Sequence, residues 1–293
     1  MLEAVALPLV KWALSEDVGT GDITTLNTIK PNTGARASIV VKEAGVVAGL
    51  EVAQLVFREL DVSLRFEPLV KDGARVEAGV AVARLFGSAG TVLTGERTAL
   101  NFLQRLSGVA TITRRYVDRI AGTGTTILDT RKTTPGMRYL EKYAVKMGGG
   151  ENHRFALWDM YLVKDNHIRA AGGVTAAIES IQRTRQDVPL EVEVESLAQL
   201  REALRPEVDR ILVDNRTVDE VRAAVAEVDT WFGMHEAEGR TKRPGARRWP
   251  EIEVSGGITL DTVRAYAETG VDYISVGALT HSASALNLAL DFE

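Results

Sequence analysis

Cationic side chains are concentrated between Arg131 and His167 of this 293-residue chain. The segment carries seven Lys and Arg residues against four acidic ones, although the whole chain has a net charge of −5. Several of the cations follow short apolar runs or glycines. Guanidinium groups bind carboxylate or phosphate through paired hydrogen bonds, and an ammonium group adds a point charge. The segment therefore predicts a site for a small anion, with these candidates: Arg131, Lys132, His153, Arg154 and Lys164.

The run GGGENHR, residues 148–154, supports the same hypothesis. Its three glycines permit close backbone approach and positive φ, so they predict a tight loop after a helix. That loop presents His153 and Arg154 together. A histidine followed by an arginine in a glycine loop favours ligand binding over a purely structural role.

Two carboxylates, Glu193 and Asp214, each lie near the end of a predicted strand. Glu191, Glu193 and Glu195 alternate with valines, so they share one face of their strand. Such carboxylates could bind a divalent cation, exchange protons or stabilise a developing positive charge. No Ser-His-Asp or Cys-His arrangement accompanies them, and nucleophilic acyl transfer is therefore not supported.

Glycine-rich turns near the C-terminus indicate a phosphate site. VSGGI (254–258) is followed by GVDYISVGALTHS (270–282). Backbone amides of such turns bind anions, and barrel enzymes frequently place their phosphate site after the last two strands. This pattern indicates a phosphate-binding barrel but does not specify a reaction.

The elements that position these residues alternate from residue 126 onward. Short apolar runs predict six strands, TTILD, MYLVK, LEVEV, RILVD, IEVSG and YISVG, and helix-like segments separate or follow them, at 137–148, 174–185, 197–205, 217–228, 260–269 and 282–290. Strand–helix alternation is typical of a parallel α/β architecture. Polar residues follow successive strands, as at the mouth of a barrel. No GxGxxG follows the first strand, so a dinucleotide-binding fold is disfavoured.

The first 95 or so residues predict a mixed α+β unit. Helical spacing covers residues 2–14, strands are predicted at 37–49 and 80–86, and two glycine turns lie within 71–79. Apolar residues recur at steps of three or four from 97 to 120, which indicates an amphipathic helix or a helix pair broken at Gly108.

Composition excludes several classes of protein. The chain has no cysteine, which excludes a disulfide framework, an iron–sulfur cluster and a thiol nucleophile. Four histidines disfavour a multi-histidine metal site, and the negative net charge disfavours nucleic acid as a partner. We find neither a membrane-spanning apolar run nor a signal peptide, so we expect a cytoplasmic protein with no membrane partner.

Taken together, these motifs closely resemble the quinolinate phosphoribosyltransferase family, also called carboxylating nicotinate-nucleotide pyrophosphorylase. The resemblance spans nearly the whole chain and includes these runs: EDVGTGDITT (16–25), GERTALNFLQRLSGVAT (95–111), DTRKTTPG (129–136), GGGENHR, KDNH (164–167), EVEVES, LVDN, VSGGI and DYISVGALTHS. The combination of DTRKTTPG, GGGENHR and KDNH is highly specific.

The resemblance implies transfer of a phosphoribosyl group from phosphoribosyl pyrophosphate (PRPP) to the ring nitrogen of quinolinate. Pyrophosphate and carbon dioxide leave, and nicotinate mononucleotide forms in de novo NAD biosynthesis. It also implies an N-terminal α/β sandwich over residues 1–110, completed by about 280–293, and an incomplete α/β barrel over 111–279. Such enzymes are at least homodimers, in which the sandwich of one subunit covers the barrel mouth of the other.

By the same resemblance, cations bind the two carboxylates of quinolinate. Arg131, His153, Arg154 and Lys164 supply them within one subunit, and Arg97 reaches in from the neighbouring subunit. Lys132 and Lys164 also meet the phosphates of PRPP. Glu193 and Asp214 face the ribose hydroxyls and Mg²⁺, which is held mainly through PRPP. The residues around the 5′-phosphate are Ser255, Gly256, Gly277 and His281.

One segment departs from the family pattern, and two other functions stay open. Residues 230–250 are longer than a short loop requires and carry five cations, which we interpret as a solvated insertion, with an extra phosphate or subunit contact as the sharper hypothesis. The alternatives are a related phosphoribosyltransferase with another acceptor and a non-catalytic binder of phosphorylated metabolites. Carboxylates aimed at the ribose argue against the binder. A lipoyl-like hairpin at 67–79 lacks a central target lysine and is interpreted as scaffold.

Overall fold

The computed structural model describes residues 2–184, 187–205, 207–236 and 249–293. The cations of the 230–250 insertion, Arg240, Lys242, Arg243, Arg247 and Arg248, lie outside the described residues. Packing divides the chain into two compact units. The first comprises Met1–Arg114, Lys132–Gly150 and Ala278–Glu293, and the second comprises Arg115–Arg131 and Glu151–Gly277. Compared with the predicted domain ranges, the first unit also takes in 132–150.

In chain order, the elements up to the long central helix are α1 (Leu2–Val18), α2 (Ile23–Thr28), β1 (Gly34–Val41), β2 (Gly45–Val46), α3 (Leu50–Leu60), β3 (Arg65–Pro68), β4 (Arg75–Val76), β5 (Ala81–Ser88) and α4 (Ala89–Arg119). The elements that follow are β6 (Thr126–Leu128), α5 (Arg138–Met147), β7 (Tyr161–Val163), α6 (Asp165–Ala171), α7 (Val174–Gln182), β8 (Leu190–Val194), α8 (Leu197–Ala203), β9 (Arg210–Asp214), α9 (Val218–Glu236), β10 (Glu251–Ser255), α10 (Val263–Ala267), β11 (Tyr273–Ser275), α11 (Ala278–His281) and β12 (Leu288–Phe292).

The first unit is built on an antiparallel sheet of order β12-β1-β5-β3. The C-terminal strand pairs with β1, and Leu290 lies opposite Ile39 in that pairing. The predicted helix at 282–290 is therefore wrong. Its apolar residues Leu286, Leu288 and Leu290 recur every second position, which is the period of a strand with one buried face. The C-terminal return into this sheet agrees with the sandwich that the family resemblance implies.

The long helix α4 passes through Gly108 without interruption, so the predicted break there is wrong. A Cβ added at Gly108 would lie 2.0 Å from the carbonyl oxygen of Ser284. The glycine therefore permits the C-terminal segment to pack directly against the helix backbone. Gly108 thus permits close approach between two segments, and α4 continues through it although glycine has a low helix propensity.

The second unit contains a six-stranded parallel sheet of order β6-β11-β10-β9-β8-β7. Strand centres such as Ile127, Val192, Ile211, Ile252 and Ile274 are buried, as expected when helices cover a parallel sheet. Within the described part of the chain, β6 and β7 form the two edges of this sheet, so the barrel is incomplete. All six predicted strands and the predicted fold class are confirmed. No helix among the described residues is long and apolar enough to cross a bilayer.

Candidate active site

The carboxyl ends of the parallel strands in the second unit carry three of the four predicted catalytic side chains. Lys164 follows β7, Glu193 lies near the end of β8, and Asp214 and Ser255 end β9 and β10. Ser255 is the register partner of Asp214. Because parallel strands end at the same edge of a sheet, their terminal side chains share one mouth, where barrel enzymes place their active sites.

Lys164 and Glu193 form an ion pair at this mouth. The Lys164 ammonium donates a hydrogen bond to Glu193 Oε2 over 2.6 Å. The carboxylate is almost buried, whereas the lysine side chain is about half exposed. The Lys164 backbone N–H donates to the His167 ring, which fixes the start of α6. An ammonium has three donors, so Lys164 can hold Glu193 and still face an anion in the mouth.

Asp214 is oriented by two neutral donors. The Ser255 hydroxyl donates to one of its oxygens and the Asn215 amide donates to the other. Asn215 has a positive φ of 52°, and its N–H donates to the carbonyl oxygen of Ser255 over 3.0 Å. These contacts hold the ends of β9 and β10 together and aim the carboxylate.

The turn after β10 has the backbone that a phosphate loop requires. Gly256 and Gly257 have φ of 93° and 62°, a region that favours glycine. A Cβ at Gly256 would lie 2.1 Å from Asn215 Oδ1. Gly277, also predicted at the 5′-phosphate, follows β11 in the same unit. Gly256 and Gly257 are thus explained by turn geometry, and Gly256 also by close approach.

Arg131 and Arg154 are neighbouring like charges in the second unit. Burial lowers the pKa of the Arg154 guanidinium, and the positive charge of Arg131 lowers it further. The Arg154 side chain donates to the Met160 carbonyl over 3.2 Å, which holds it in place. The carboxylates of Glu191 and Asp159 act in the opposite direction and raise the pKa of Arg154. The two guanidinium groups thus affect one another electrostatically, and guanidinium groups are suited to a carboxylate or phosphate.

His153 is held on several sides. Its backbone N–H donates to the buried Asp129 carboxylate over 3.0 Å, and its ring Nδ1 accepts the Arg154 N–H over 2.7 Å. Ring Nε2 lies 3.0 Å from Glu191 Oε2 and 3.5 Å from Glu253 Oε1. The side chain is only 7% exposed. The ring therefore faces carboxylates in the barrel interior while its backbone carries Arg154.

His153, Glu191, Arg210 and Glu253 form what we call the interior charge cluster. Arg210 donates to Glu253 over 2.9 Å, and its guanidinium stacks 3.9 Å from the centre of the Tyr273 ring. Burial opposes ionisation of Glu191, but His153 and Arg210 outweigh it and lower its pKa. Burial and the charge of Glu191 raise the pKa of Glu253. Charges of both signs thus compensate one another inside the barrel.

The same carboxylates also affect the His153 ring. Burial opposes its protonation, but the charges of Glu253 and Glu191 outweigh burial and raise its pKa. The sequence pattern places Glu191 on the same strand face as Glu193 but gives no role to Arg210 and Glu253. The signal was present in the strands LEVEV, RILVD and EIEVS, where charged residues occur at core positions.

Among the described residues of the second unit, two places offer ligand atoms that a metal could use. His153, Glu191 and Glu253 offer three within 4.8 Å of one another. Because the Arg154 N–H donates to Nδ1 of His153, the proton of the neutral ring lies on Nε2, which then has no lone pair for a metal. The Glu253 carboxylate already accepts a hydrogen bond from Arg210. Asp214 fits Mg²⁺ better, because this ion takes one or two carboxylates and completes its shell with substrate phosphates and water.

Three predicted site residues belong to the first unit. Arg97 lies exposed on α4, Lys132 is exposed at the start of the TTPG turn, and His281 is exposed at the end of α11. The carbonyl oxygen of Lys132 accepts a hydrogen bond from the Thr280 hydroxyl over 2.8 Å. Their convergence with the barrel residues stays a prediction.

Comparison with known proteins identifies the family. The chain matches the family models for the quinolinate phosphoribosyl transferase N-terminal domain over residues 22–107 and C-terminal domain over 109–291. It is 42% identical to the carboxylating nicotinate-nucleotide pyrophosphorylase of Mycobacterium leprae over 96% of this chain and 95% of that protein. It is 39% identical to a chloroplastic enzyme of the same name from rice over 97% of this chain and 77% of that protein.

Solved structures give the same result. The nicotinate-nucleotide pyrophosphorylase of Francisella tularensis superimposes with a TM-score of 0.88 at 37% identity, covering 99% of this chain and 97% of that one. NadC from Streptococcus pyogenes superimposes with a TM-score of 0.87 at 39% identity, covering 97% of this chain and 95% of that one. The polar mouth of the incomplete barrel, the two matching domain models and these relatives together show that this chain belongs to the quinolinate phosphoribosyltransferase family.

Proposed function

We propose that this chain is a carboxylating nicotinate-nucleotide pyrophosphorylase. It transfers the phosphoribosyl group of PRPP to the ring nitrogen of quinolinate and releases pyrophosphate, carbon dioxide and nicotinate mononucleotide for NAD biosynthesis. The observation that carries the proposal is the charged mouth of the barrel, where the Lys164–Glu193 ion pair and Asp214 lie at the carboxyl ends of β7, β8 and β9. A cation and carboxylates at one edge suit an anionic substrate and a ribose that gains positive charge, and the family relationship supports quinolinate as the acceptor.

Quinolinate is bound by its charges. Arg131 and Arg154 receive the two carboxylates, and the Lys164 ammonium adds a third cation. His153 is assigned to the same subsite through its backbone, which carries Arg154, because its ring nitrogens face the Arg154 N–H and the Glu191 carboxylate. With both carboxylates held, the ring nitrogen is oriented toward the anomeric carbon of PRPP, and positioning of this kind contributes much of an enzyme's rate enhancement.

The transfer breaks the bond between the anomeric carbon and pyrophosphate and forms a carbon–nitrogen bond. Positive charge develops on the ribose ring, and the carboxylates Glu193 and Asp214 stabilise it electrostatically. Lys132 and Lys164 balance the negative charge that the leaving pyrophosphate gains. The ring nitrogen then carries a positive charge, so the adjacent carboxylate leaves as carbon dioxide and its electron pair stays on the ring carbon, which takes up a proton.

Mg²⁺ is the proposed cofactor. Asp214 would hold it together with oxygen atoms of PRPP, and the Lys164 ammonium on Glu193 Oε2 leaves Glu193 a weaker candidate ligand. When bound, Mg²⁺ neutralises charge on the pyrophosphate group. The 5′-phosphate is assigned to the glycine turns, with these residues: Ser255, Gly256, Gly277 and His281.

The assembly and its location complete the proposal. We assign a homodimer or higher homo-oligomer in which Arg97 reaches the neighbouring active site, which its exposed position on α4 supports. Neither nucleic acid nor membrane is a proposed partner. A cytoplasmic location is proposed from the composition, although some plant relatives are named as chloroplastic or mitochondrial.

The proposed function is tested by incubating the purified protein with Mg²⁺, PRPP and quinolinate. We expect nicotinate mononucleotide and carbon dioxide in equal amounts. Nicotinate as the sole acceptor is the control. Turnover of nicotinate but not quinolinate would refute the assignment and favour a related phosphoribosyltransferase, whereas binding of PRPP without turnover would favour a non-catalytic binder.

A further inference from the structure

A partly buried ion pair in the first unit connects two segments that the proposed function uses. Arg105, on α4, donates through Nε and a terminal nitrogen to Glu141 Oε1, over 3.1 and 2.6 Å. Its guanidinium also donates to the carbonyl oxygens of Ala283, over 2.8 Å, and Thr280. One side chain thus holds helix α5, through Glu141, and the segment around α11.

Glu141 in turn holds the turn that follows Lys132. This carboxylate is fully buried. Its Oε2 accepts the Thr134 N–H over 3.0 Å, and its Oε1 accepts the Thr134 hydroxyl over 2.8 Å. A buried carboxylate with an arginine and two further donors is satisfied and rigid, and removal of a single partner would leave an uncompensated charge.

Thr280 completes a second connection to Lys132. Its carbonyl oxygen accepts from Arg105, and its hydroxyl donates to the Lys132 carbonyl over 2.8 Å. Lys132 is therefore held at its own carbonyl and, two residues later, at Thr134. His281, assigned to the 5′-phosphate, directly follows Thr280. Both connections lead from Arg105 to backbone that carries a proposed PRPP contact.

We propose that Arg105, Glu141 and Thr280 are positioning residues that preorganise Lys132 for the phosphates of PRPP. The inference rests on the proposed function for the identity of the phosphate ligand. A lysine on a fixed backbone loses less conformational freedom when it binds than one on a mobile turn, so its affinity for phosphate rises. Because the connections end on Lys132 and its turn, their loss should affect PRPP more than quinolinate.

The test compares two buried threonines in the same unit. Thr280→Val removes the hydroxyl on Lys132 with little change of volume. Thr111→Val is the matched control, since the hydroxyl of Thr111 accepts the Val46 N–H over 2.9 Å and is not bonded to Lys132. Thr280→Ser keeps the hydroxyl and should restore binding. Both the Kd for PRPP, by titration calorimetry with Mg²⁺, and the KM values of each substrate are measured.

We expect Thr280→Val to weaken PRPP binding about fivefold, the usual effect of one lost hydrogen bond, and to change the KM for quinolinate less than about twofold. Arg105→Lys cannot reproduce the several hydrogen bonds of the guanidinium and should weaken PRPP binding more than Thr280→Val does. Equal changes in Thr280→Val and Thr111→Val would overturn the inference, and so would a Kd for PRPP unchanged by Thr280→Val.

The calorimetric arm separates this inference from the proposed function. A wild-type protein that binds PRPP but does not convert quinolinate refutes the proposed function, while the comparison of variants still decides the role of Thr280. A wild-type protein that does not bind PRPP overturns both.

Discussion

Replacement of Arg210 should destabilise the barrel unit strongly, because this residue compensates carboxylates inside it. Arg210 is 14% exposed, lies 2.9 Å from Glu253 and 3.6 Å from Glu251, and stacks on Tyr273. Arg210→Met keeps most of the volume but leaves these carboxylates without their cation. Breaking one side of a buried ion pair costs about 3–5 kcal/mol, or roughly 10 °C in melting temperature for a unit of this size.

Arg201→Met is the matched control for thermal unfolding. Arg201 pairs with Glu227 through two hydrogen bonds in the same unit, but its side chain is 61% exposed. Exposed pairs contribute about 1 kcal/mol or less. The double variant Arg210→Met/Glu253→Gln also removes the charge of Glu253, which has lost its cation, and should recover part of the lost thermal stability.

The pH dependence gives a second readout. Without Arg210, the pKa of Glu253 in the folded state rises further above its unfolded value, and the lowered pKa of Glu191 rises as well, so the folded variant binds protons more tightly than the folded wild type. A carboxyl group whose pKa is higher in the folded state than in the unfolded state lowers the free energy of unfolding as pH rises through that pKa. The difference in free energy of unfolding between Arg210→Met and the wild type should therefore become smaller as pH falls from 8 to 5. Two results would refute the interpretation of the interior charge cluster. One is a loss of stability in Arg210→Met no larger than that in Arg201→Met, and the other is a loss that does not change with pH.

Four other substitutions test the site and the fold. Arg131→Ala should lower kcat/KM for quinolinate about 100-fold or more, and an intact rate would reject its assignment. Asp214→Asn should lower kcat by about 100-fold at saturating substrates, and single-turnover assays should show the same loss in the chemical step. A change confined to KM would contradict a charge-stabilising role. Gly256→Ala should raise the KM for PRPP, because its Cβ would strike Asn215; unchanged kinetics would show that the turn adapts. Gly108→Ala should cost about 1–3 kcal/mol of stability by overpacking, measured by thermal unfolding, and a neutral result would contradict the close packing there.

Prediction from sequence succeeded where local pattern decides structure. The six strands of the barrel were recognisable because each is a short apolar run between helix-like segments, and the polar residues at their ends, such as Lys164 and Asp214, mark the mouth. The errors arose where two segments far apart in sequence meet. Gly108 looks like a helix break until Ser284 is placed against it, and 288–292 become a strand because β1 offers an edge for pairing.

The sequence by itself determined the class of fold, the family and the residue types that bind anions, because strand periodicity, glycine turns and motif spacing are local properties. The tertiary structure decided which charges face one another. Register places Glu191 and Glu251 on either side of Arg210, and the loop between α5 and β7 brings His153 to Glu191 and Glu253. Such contacts depend on strand order and register across 19 to 100 residues of chain. The energy of a buried charge depends on those partners rather than on its neighbours in sequence.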